Sequence, residues 1–508
     1  MDIKYLEEAL IGNREKNPER TNATLERVYE VMENVIQDTE QIRSTKEAIS
    51  VNNSSIRDPI TGEQAHEIAE LIDQMDISQS NKMEIITQLM ESEIATAEAI
   101  DLHKKYKIPV SELEQDIIPV KGQGCWIKDT KGKWYLDMDS NYSATNLGMS
   151  NPELAKGLYN QARLLVSMKE DRVQIARTRF LKEISVMMPK GLDFFFWQNS
   201  GSEAVDKSLK IAKAYTQSKD VIAFKNGFHG RTHGAISVTW KQKYREPFFL
   251  HEEDWVHFAE YNDIESVRKI MDETGAKIVI LEMVQGEEAG NRPADPEFIK
   301  ELWDLVHERN GVIIDDEVQA GFGRTAVKEG DWFACMSYGV VPDIMAIGKS
   351  FGGGYPVTAV ISNKKIAEAM VPGYDGSTFG GNPMAMTSAL IATRQMRNQH
   401  ITKNVIKRSK QVQDGLNELK NKHSVIDQIQ GLGLMIGFSL KSSDQVQQLQ
   451  KYLRDNQVKS SLSTDKFIRF LPPTIISKGD VQTFLNRLDK ALSGIEEPLK
   501  KDEAEIAI

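Results

Sequence analysis

Cysteine is nearly absent from this sequence, which has only Cys125 and Cys335 among its 508 residues. Two cysteines so far apart do not form a disulfide framework, and we expect a protein of the reducing cytoplasm. An excess of basic residues is also missing, because 63 Lys and Arg stand against 74 Asp and Glu and give a formal net charge of −11. This balance argues against a general nucleic-acid binder, which needs a basic surface.

Long apolar runs are missing as well. No stretch of about 18 apolar residues occurs, so we expect no membrane span. The first residues, MDIKYLEEALIG, lack the basic segment and apolar core of a signal peptide. With 40% hydrophobic and 27% charged residues, the composition is typical of a soluble globular protein. The length predicts two or three domains.

The first 110 residues carry helix patterns and no cluster of chemically active residues. Apolar positions recur at three-and-four spacing over residues 25–42, from about residue 64, and over 82–104, which predicts three amphipathic helices. Two interpretations stay open for this segment. It is either a helical extension packed on the main domain or a module for oligomerisation or partner binding.

The pattern changes at about residue 120. GCWIKDTKGKWYLDM predicts two short strands around a turn. Helical stretches then alternate with apolar runs at 221–224, 276–284, 311–318 and 343–349. This alternation predicts an α/β fold with a mostly parallel sheet covered by helices. After about residue 395, a helical stretch before GLGLMIGFSL and FIRFLPP predicts a smaller α+β domain.

Polar residues follow these predicted strands, where ligands bind in such sheets. QNSGSEAVDK places Gly201 and Ser202 at a helix start, which suits a phosphate or an ordinary serine cap. IIDDEVQ places Asp315, Asp316 and Glu317 after a strand. The three carboxylates fit a metal site or a solvated turn, and a single buried one fits a partner for a protonated ring nitrogen.

Two further stretches carry candidate residues. FKNGFHGRTHGA places Phe228, His229 and Arg231 in a glycine-flanked loop, either a surface loop or a site where an aromatic ring stacks on a planar ligand. AIGKSFGGGYP places Lys349 before three glycines, either as a surface cation or as a catalytic amine. A phosphate cradle, a carboxylate, an aromatic ring and a lysine together fit the chemistry of pyridoxal phosphate, which needs a Schiff-base amine and an acid at its ring nitrogen.

The chain resembles the class III (ω-amino acid type) aminotransferases of fold type I, in particular the acetylornithine/ornithine branch. The resemblance covers about residues 118–495. It rests on six motifs in the family order: NSGSEA, FHGRT, EMVQGE, DDEVQAGFGRT, GKSFGGGYP and GSTFGGNP. The resemblance implies a fold type I transferase with a large sheet domain, a small C-terminal domain and, in this chain, a helical N-terminal extension.

The resemblance also implies roles for matching residues. Lys349 would form the Schiff base with pyridoxal 5'-phosphate and move the proton at the substrate carbon, and Asp316 would pair with the ring nitrogen. The other implied cofactor contacts are Gly201 and Ser202 at the phosphate, Phe228 and Val318 on the two ring faces, His229 beside Phe228, Gln319 near the ring hydroxyl, and Thr378 at the phosphate of the neighbouring subunit.

Substrate residues follow in the same way. Arg469 would take the carboxylate next to the reacting carbon, and Glu287 would pair with this arginine and mask it. This pair would act as a switch that lets one site take a terminal-amine donor and then an α-keto acid acceptor. Arg231 and Ser377 match positions at the far end of the substrate, and Tyr142 lies in a segment that lines the substrate side.

Some positions depart from the common family pattern. The pair Ser140-Asn141 stands where SG is frequent, Met283 where proline is frequent, GEEAG where GEGG is common, and Gln430 where an arginine often precedes GLGLM. These departures lie partly beside the substrate, so the identity of the donor stays open.

We therefore predict a cytoplasmic aminotransferase with a ping-pong mechanism. It would move an amino group from an ω-amino or basic amino acid to 2-oxoglutarate or pyruvate, as a homodimer or a dimer of dimers, without a metal, nucleic acid or membrane. We predict three parts of the chain. Residues 1–110 form the helical N-terminal extension, and residues 166–395 form the large cofactor-binding domain. Residues 111–165 and 396–508 are the two parts of the small domain. The alternatives are a racemase or aminomutase on the same scaffold and a non-enzymatic cofactor-binding interaction protein.

Overall fold

The computed structural model describes residues 28–29, 32–33, 35, 39–50, 62–79, 81–82, 85, 96–251 and 254–496. The chain divides into two compact units, Met1–Ile118 and Pro119–Ile508. In the first unit the described helices are Thr39–Ser50, Gly62–Gln74 and Thr96–Tyr106. The helix predicted from about residue 64 is confirmed, and its apolar face buries Ile68 and Ile72. Much of the first and third predicted helices lies outside the described residues.

The second unit contains the strands. In chain order they are β1 (Pro119–Gln123), β2 (Trp126–Asp129), β3 (Trp134–Asp137), β4 (Phe194–Gln198), β5 (Val221–Phe224), β6 (Val256–Ala259), β7 (Ile278–Leu281), β8 (Val284–Gln285), β9 (Arg292–Pro293), β10 (Val312–Asp316), β11 (Ile344–Ile347), β12 (Thr358–Ser362), β13 (Ile426–Leu432), β14 (Met435–Leu440), β15 (Val458–Lys459), β16 (Ser461–Leu462) and β17 (Phe467–Phe470).

Helices alternate with these strands. The α-helices of four or more residues with regular geometry are Pro152–Ala162, Ile175–Ile184, Gly201–Thr216, His233–Ser237, Ile264–Thr274, Pro296–Glu308, Ala334–Tyr338, Lys364–Ala367, Pro383–Asn398, Ile401–Lys422, Ser443–Asp455 and Lys478–Glu496. Among the described residues, no helix has both the length and the apolar character needed to cross a membrane.

The central sheet has seven strands in the order β4-β12-β11-β10-β7-β5-β6. The pairs β11–β10, β10–β7, β7–β5 and β5–β6 are parallel, and β12 is antiparallel to both of its neighbours. All residues of β5, β7, β10 and β11 are buried, as expected for strands with helices on both faces. The four apolar runs noted in the sequence are therefore the middle of a mostly parallel sheet, as predicted.

Three smaller sheets accompany the central one: β8 and β9 form a two-stranded sheet, and two sheets have four strands each. The order β1-β2-β3-β15 joins the start of the unit to its C-terminal part, because β15 pairs in parallel with β3. A second sheet has the order β13-β14-β17-β16. The hairpin predicted at GCWIKDTKGKWYLDM is confirmed as β2 and β3. The domain boundaries given above stay a prediction.

Candidate active site

The site begins at the carboxyl ends of β10 and β11. The parallel register places Asp316, the last residue of β10, opposite Ala346 of β11. Three residues later the chain reaches Lys349, after Gly348 in extended backbone. Because both strands run in the same direction, their polar end residues lie at the same edge of the sheet. The lysine and the carboxylate are thus brought together as the sequence predicted.

Lys349 is not a surface lysine. Its side chain is largely withdrawn from water, and its amine has no hydrogen-bond partner among the described residues. Its φ of 45° is a left-handed conformation that is strained for a residue with a side chain. Burial lowers the pKa of the Lys349 amine, while the carboxylates of Glu287, Asp316 and Glu282 act in the opposite direction. A lysine with a lowered pKa is suited to act as nucleophile and base.

Asp316 is held by its neighbours in a fixed orientation. One carboxylate oxygen accepts the backbone N–H of Val318 at 3.1 Å, and the other lies 2.8 Å from Nδ1 of the buried His229. Burial acts to lower the pKa of His229, but its hydrogen bond with Asp316 and the nearby charge raise it above the ordinary value. The imidazole of His229 therefore holds the Asp316 carboxylate in place through this hydrogen bond.

Asp315 and Glu317 point away from Asp316, because side chains alternate along a strand. Both are fully buried with Cys335, whose backbone N–H donates to Glu317 at 2.9 Å. Burial raises the pKa of Asp315 well above its ordinary value and that of Glu317 to about 7. These residues are not a solvated turn, and Asp316 is the carboxylate that faces the lysine.

Glu282, which sequence reasoning missed, stands one residue after β7. Its carboxylate accepts the backbone N–H of Phe228 at 2.9 Å and that of Gly286 at 3.3 Å. Burial raises its pKa to about 7. The rule that pointed to Asp315, Asp316 and Glu317, a polar residue at the end of an apolar strand, also applies to Glu282. Glu282 fixes the loop that presents Phe228 and His229.

The helix Gly201–Thr216 begins with a partly open N-terminus. Ser200 is its cap, since the Ser200 hydroxyl accepts from the N–H of Glu203 and the Glu203 carboxylate accepts from the N–H of Ser200. The N–H groups of Gly201 and Ser202 have no partner among the described residues. A helix N-terminus with free N–H groups is suited to a phosphate.

Val318 packs between two glycines of the site. A Cβ atom on Gly201 would lie 2.9 Å from a Val318 methyl carbon, and a Cβ on Gly348 would lie 3.2 Å from it. Only glycine at both positions therefore leaves room for Val318 beside the phosphate-binding helix end and the lysine. This arrangement fits a valine against one face of a planar ring.

Gln319 and Tyr142 lie together on another side of the site. The side-chain oxygen of Gln319 is buried without a described partner, and its amide nitrogen lies 3.5 Å from the Tyr142 carbonyl. Residues 140–143 all have positive φ, between 44° and 77°, although none is glycine. Hydrogen bonds from Ser140 to Leu471 and from the Ser350 hydroxyl to residue 143, both 2.6 Å, hold this turn.

Arg469 and Glu287 form an ion pair. The Arg469 side chain is fully buried, lies 5.1 Å from the ring centre of Tyr142 and donates to the Leu462 carbonyl at 3.1 Å. Burial acts to raise the pKa of Glu287, but Arg469 and Lys349 hold it below the ordinary value. An arginine masked by an ionised carboxylate is a site that a substrate carboxylate can enter when the glutamate leaves.

The far-end residues are only partly brought together. Arg231 is exposed, with its guanidinium carbon 4.0 Å from the ring centre of Tyr244 and 5.4 Å from that of Phe228. Ser377 and Thr378 instead line a surface cavity with Asn199 and Lys207. Among the described contacts none joins them to Lys349 or Asp316. Their predicted roles, one of them in a neighbouring subunit, stay predictions.

The fold and this combination of lysine, carboxylate and helix end are those of an enzyme that uses pyridoxal phosphate. Residues 108–492 match the family described as Aminotransferase class-III. The chain belongs to the class III aminotransferases, which use pyridoxal phosphate as cofactor. The free N–H groups at Gly201, the position of Val318 beside them and the buried, unpaired oxygen of Gln319 fit this cofactor.

Similar proteins agree with this family. The chain is 35% identical over 404 residues to a [LysW]-aminoadipate semialdehyde transaminase of Deinococcus radiodurans, covering 79% of this chain and 92% of the relative. It is 36% identical over 382 residues to an acetylornithine aminotransferase of Archaeoglobus fulgidus, covering 75% and 97%. The ornithine aminotransferase of Toxoplasma gondii has a TM-score of 0.74 at 25% identity, covering 79% and 96%. The aminotransferase prediction is thus confirmed over the racemase alternative.

Proposed function

We propose that this enzyme moves the terminal amino group of an ω-amino or basic amino acid, or of a related semialdehyde-forming substrate, to 2-oxoglutarate or pyruvate by a ping-pong mechanism. The observation that carries the proposal is the position of the Lys349 amine, which lies within electrostatic reach of both Asp316 and the Glu287–Arg469 pair. A donor that reacts through a terminal amine brings no carboxylate next to its reacting carbon, whereas a keto-acid acceptor does. An arginine that is paired with a glutamate can accept either substrate, because the glutamate neutralises it for the donor and leaves it for the acceptor.

The names of the relatives support the substrate class. The D. radiodurans and A. fulgidus relatives are named for an aminoadipate semialdehyde and for acetylornithine, and the T. gondii structure is named for ornithine. In each name the compound carries its reacting group at the end of a chain distant from the α-carbon. We therefore propose a donor of this chain type with a nitrogen at its far end.

We assign the catalytic proton transfer to Lys349. Bound pyridoxal phosphate supplies an aldehyde that takes up the amino group and a protonated ring that withdraws electrons from the reacting carbon. Lys349 would be the attachment point and would move the proton at that carbon, for which its lowered pKa is suited. Asp316, which is oriented by His229, would hold the proton on the ring nitrogen.

The remaining residues position the reactants. Val318 and Phe228 would pack against the bound ring and Gln319 would lie near the ring hydroxyl. Gly201 and Ser202 would bind the phosphate with their free N–H groups. Arg469 takes the α-carboxylate of the acceptor after Glu287 leaves it, and Arg231 takes the distal group.

We also propose a homodimer whose active site takes Thr378 and Ser377 from the partner subunit. Apolar side chains that are rarely so exposed occur in two segments, including Leu164 (79%) and Val173 (95%) in one and Phe379 (60%) in the other. The segments are neighbours, because Arg177 donates to the Gly381 carbonyl at 3.0 Å. A large exposed apolar surface marks an interface, and Phe379 directly follows Thr378 in the chain.

We place the protein in the cytoplasm, since Cys125 and Cys335 are both buried and unpaired. The domain division at residues 110, 165 and 395 is part of the same proposal. It is supported by the pairing of β15 with β3, which joins the two separate parts of the small domain.

The test is a panel of amine donors followed one half-reaction at a time by the absorption spectrum of the cofactor. The purified enzyme is mixed with each donor without acceptor, then with 2-oxoglutarate or pyruvate. We expect a stoichiometric spectral change that stops after one half-reaction and is reversed by the keto acid. Continued turnover without an acceptor would indicate a racemase or aminomutase instead, and no change with any donor would remove the proposed donor class.

A further inference from the structure

The loop between β8 and β9 carries two neighbouring glutamates with different partners. Glu287 pairs with Arg469. The carboxylate of Glu288 lies on another side, where it accepts from the Tyr244 hydroxyl at 2.8 Å and from the Lys241 amine at 2.8 Å. Glu288 is the second glutamate of GEEAG, a position at which the family commonly has glycine.

Glu288 is a firm anchor for Tyr244. Its side chain is only 5% exposed, so both oxygens depend on these two partners in place of water. A charge-assisted hydrogen bond to a buried carboxylate is stronger than one between neutral groups. Burial, followed by the hydrogen bond to Glu288, raises the pKa of Tyr244 to about 12, so the hydroxyl remains a donor throughout the neutral pH range.

The ring of Tyr244 carries Arg231. The guanidinium carbon is 4.0 Å from the ring centre, a distance at which an aromatic face attracts a cation. Phe228 meets the Tyr244 ring edge-on at 6.3 Å, which limits the tilt of the ring. Arg231 thus lies on a platform whose position is fixed at both its hydroxyl and its edge.

Lys241, Glu288 and Arg231 together carry two positive charges and one negative charge. Lys241 neutralises Glu288, while the Arg231 side chain has no carboxylate partner among the described residues. Stacking on a ring leaves the N–H groups at the edge of a guanidinium free to bind a planar anion in bidentate fashion. The group as a whole is suited to a second carboxylate, distinct from the one that Arg469 takes.

We propose that Tyr244, anchored by Glu288 and Lys241, is the positioning residue that holds Arg231 for the distal carboxylate of the substrate, and that this assembly sets the preference for dicarboxylic over monocarboxylic keto acids. The inference rests on the proposed function, since it needs Arg231 at the far end of the substrate. Tyr244 acts through Arg231 and does not itself take part in the proton transfer.

The experiment compares 2-oxoglutarate with pyruvate in Tyr244→Leu, which removes the platform, and in Tyr244→Phe, which keeps the ring and loses the anchor. The control is Tyr338→Phe, because the Tyr338 hydroxyl also makes one hydrogen bond, to Ala294 at 2.9 Å, outside this group. For Tyr244→Leu we expect kcat/KM for 2-oxoglutarate to fall about fivefold, mainly through KM, as for the loss of one cation–π contact, with pyruvate unchanged within about twofold. In Tyr244→Phe, kcat/KM for 2-oxoglutarate should fall by less than in Tyr244→Leu, and in Tyr338→Phe it should equal that of the wild type.

Binding of glutarate, a dicarboxylate without a keto group, gives a readout that does not depend on turnover. Isothermal titration of the holoenzyme should show weaker glutarate binding in Tyr244→Leu and unchanged binding in Tyr338→Phe. Equal losses of kcat/KM for 2-oxoglutarate and pyruvate in Tyr244→Leu, or unaltered glutarate binding in this variant, would contradict the proposed role of Tyr244. Neither result would contradict transamination itself. A wild-type enzyme that accepts neither keto acid would instead overturn the proposed function.

Discussion

At the scale of single residues, the site depends on how burial and neighbouring charges change ordinary side chains. Lys349 has a lowered pKa because it is buried, whereas Glu287 stays ionised because Arg469 and Lys349 outweigh its burial. Loss of contact with water therefore favours the neutral form of the Lys349 amine. In Glu287 the same effect is overcome by the salt bridge with Arg469. Three predictions test this balance.

Replacing the lysine tests its assignment. In Lys349→Ala we expect the visible absorption band of lysine-bound pyridoxal phosphate to be lost and transamination to fall by at least about 10³-fold, because both the attachment point and the base are removed. Absorption spectra after dialysis and single-turnover kinetics measure these effects. Lys364→Ala is the control, since Lys364 is exposed and its ion pair, with Glu368, lies on the surface. Retention of the band after dialysis would contradict the assignment.

Removal of Arg469 tests the carboxylate site. Truncation of one partner of a buried charged pair costs several kcal/mol, so in Arg469→Ala we expect kcat/KM for the keto acid to fall about 30-fold or more. The half-reaction with an amine that lacks a carboxylate should fall much less. Stopped-flow measurement of both half-reactions compares them directly. Equal losses in the two would show that Arg469 only supports the fold.

The pH dependence of stability tests Glu282. Burial raises its pKa from 4.5 to about 7, so the folded protein keeps a proton that the unfolded chain has released in this window. The contribution of Glu282 to the free energy of unfolding is therefore largest below about pH 4.5. It falls by up to about 3 kcal/mol as the pH rises to 7. Glu282→Gln lacks this titration.

Chemical unfolding at several pH values between 5 and 8 measures the effect. The difference in unfolding free energy between Glu282→Gln and the wild type should grow as the pH rises through this range. Glu301→Gln, on the exposed face of the helix Pro296–Glu308, should follow the wild type at every pH. Parallel curves for Glu282→Gln and the wild type would refute the raised pKa.

At the scale of secondary-structure elements, a helix start and a strand end approach each other closely at the proposed cofactor cradle. The helix Gly201–Thr216 begins against Val318, just after β10, and the capping box at Ser200 leaves the N–H groups of Gly201 and Ser202 without a partner among the described residues. Neither element alone makes this site. Their contact depends on glycine, because a side chain at residue 201 would push the valine away.

A single methyl group tests this contact. In Gly201→Ala the new Cβ would lie 2.9 Å from a Val318 methyl, and overpacking of this kind costs about 1–3 kcal/mol. We expect about a tenfold loss of affinity for pyridoxal phosphate, measured by fluorescence titration of the apoenzyme. Adding Val318→Ala should restore part of the affinity. Gly479→Ala, where the nearest atom is 3.7 Å away, is the control, and an unaffected Gly201→Ala would contradict the cradle.

At the scale of the whole molecule, the proposed dimer rests on exposed apolar residues of the second unit. Val173 is 95% exposed and Leu164 79%, which is unusual for aliphatic side chains unless another surface covers them. The loop with Thr378 is adjacent to them, so the same contact would complete the phosphate site. Assembly and cofactor binding should therefore be linked.

A charge in this surface tests the link. In Val173→Asp we expect the dimer to dissociate and the affinity for pyridoxal phosphate to fall together, by light scattering and fluorescence titration at matched protein concentrations. Val341→Asp, at an apolar residue that is 44% exposed in another loop, should remain dimeric. A wild-type monomer that binds the cofactor fully would rule out the shared site.

Much of the fold was predictable because its strands are buried on both faces. The runs that form β5, β7, β10 and β11 are continuous and apolar, and the alternation with helices fixes a parallel sheet. The acidic residues 315–317 and Lys349 were predictable as candidates for the same reason, since strand ends are where such sheets bind ligands, and the family resemblance pointed to Asp316 among the three acids. Glu282 obeys the same rule and was overlooked.

The sequence by itself determined the sheet, the strand ends and the motifs that mark the family, because these depend on local hydrophobic pattern and on residues near one another in the chain. Only the tertiary structure decided which of three successive acids faces the lysine, that Glu287 is paired with Arg469, 182 residues away, and that Tyr244 lies beneath Arg231. These depend on burial, charge and contact between distant segments, which no single stretch of sequence encodes.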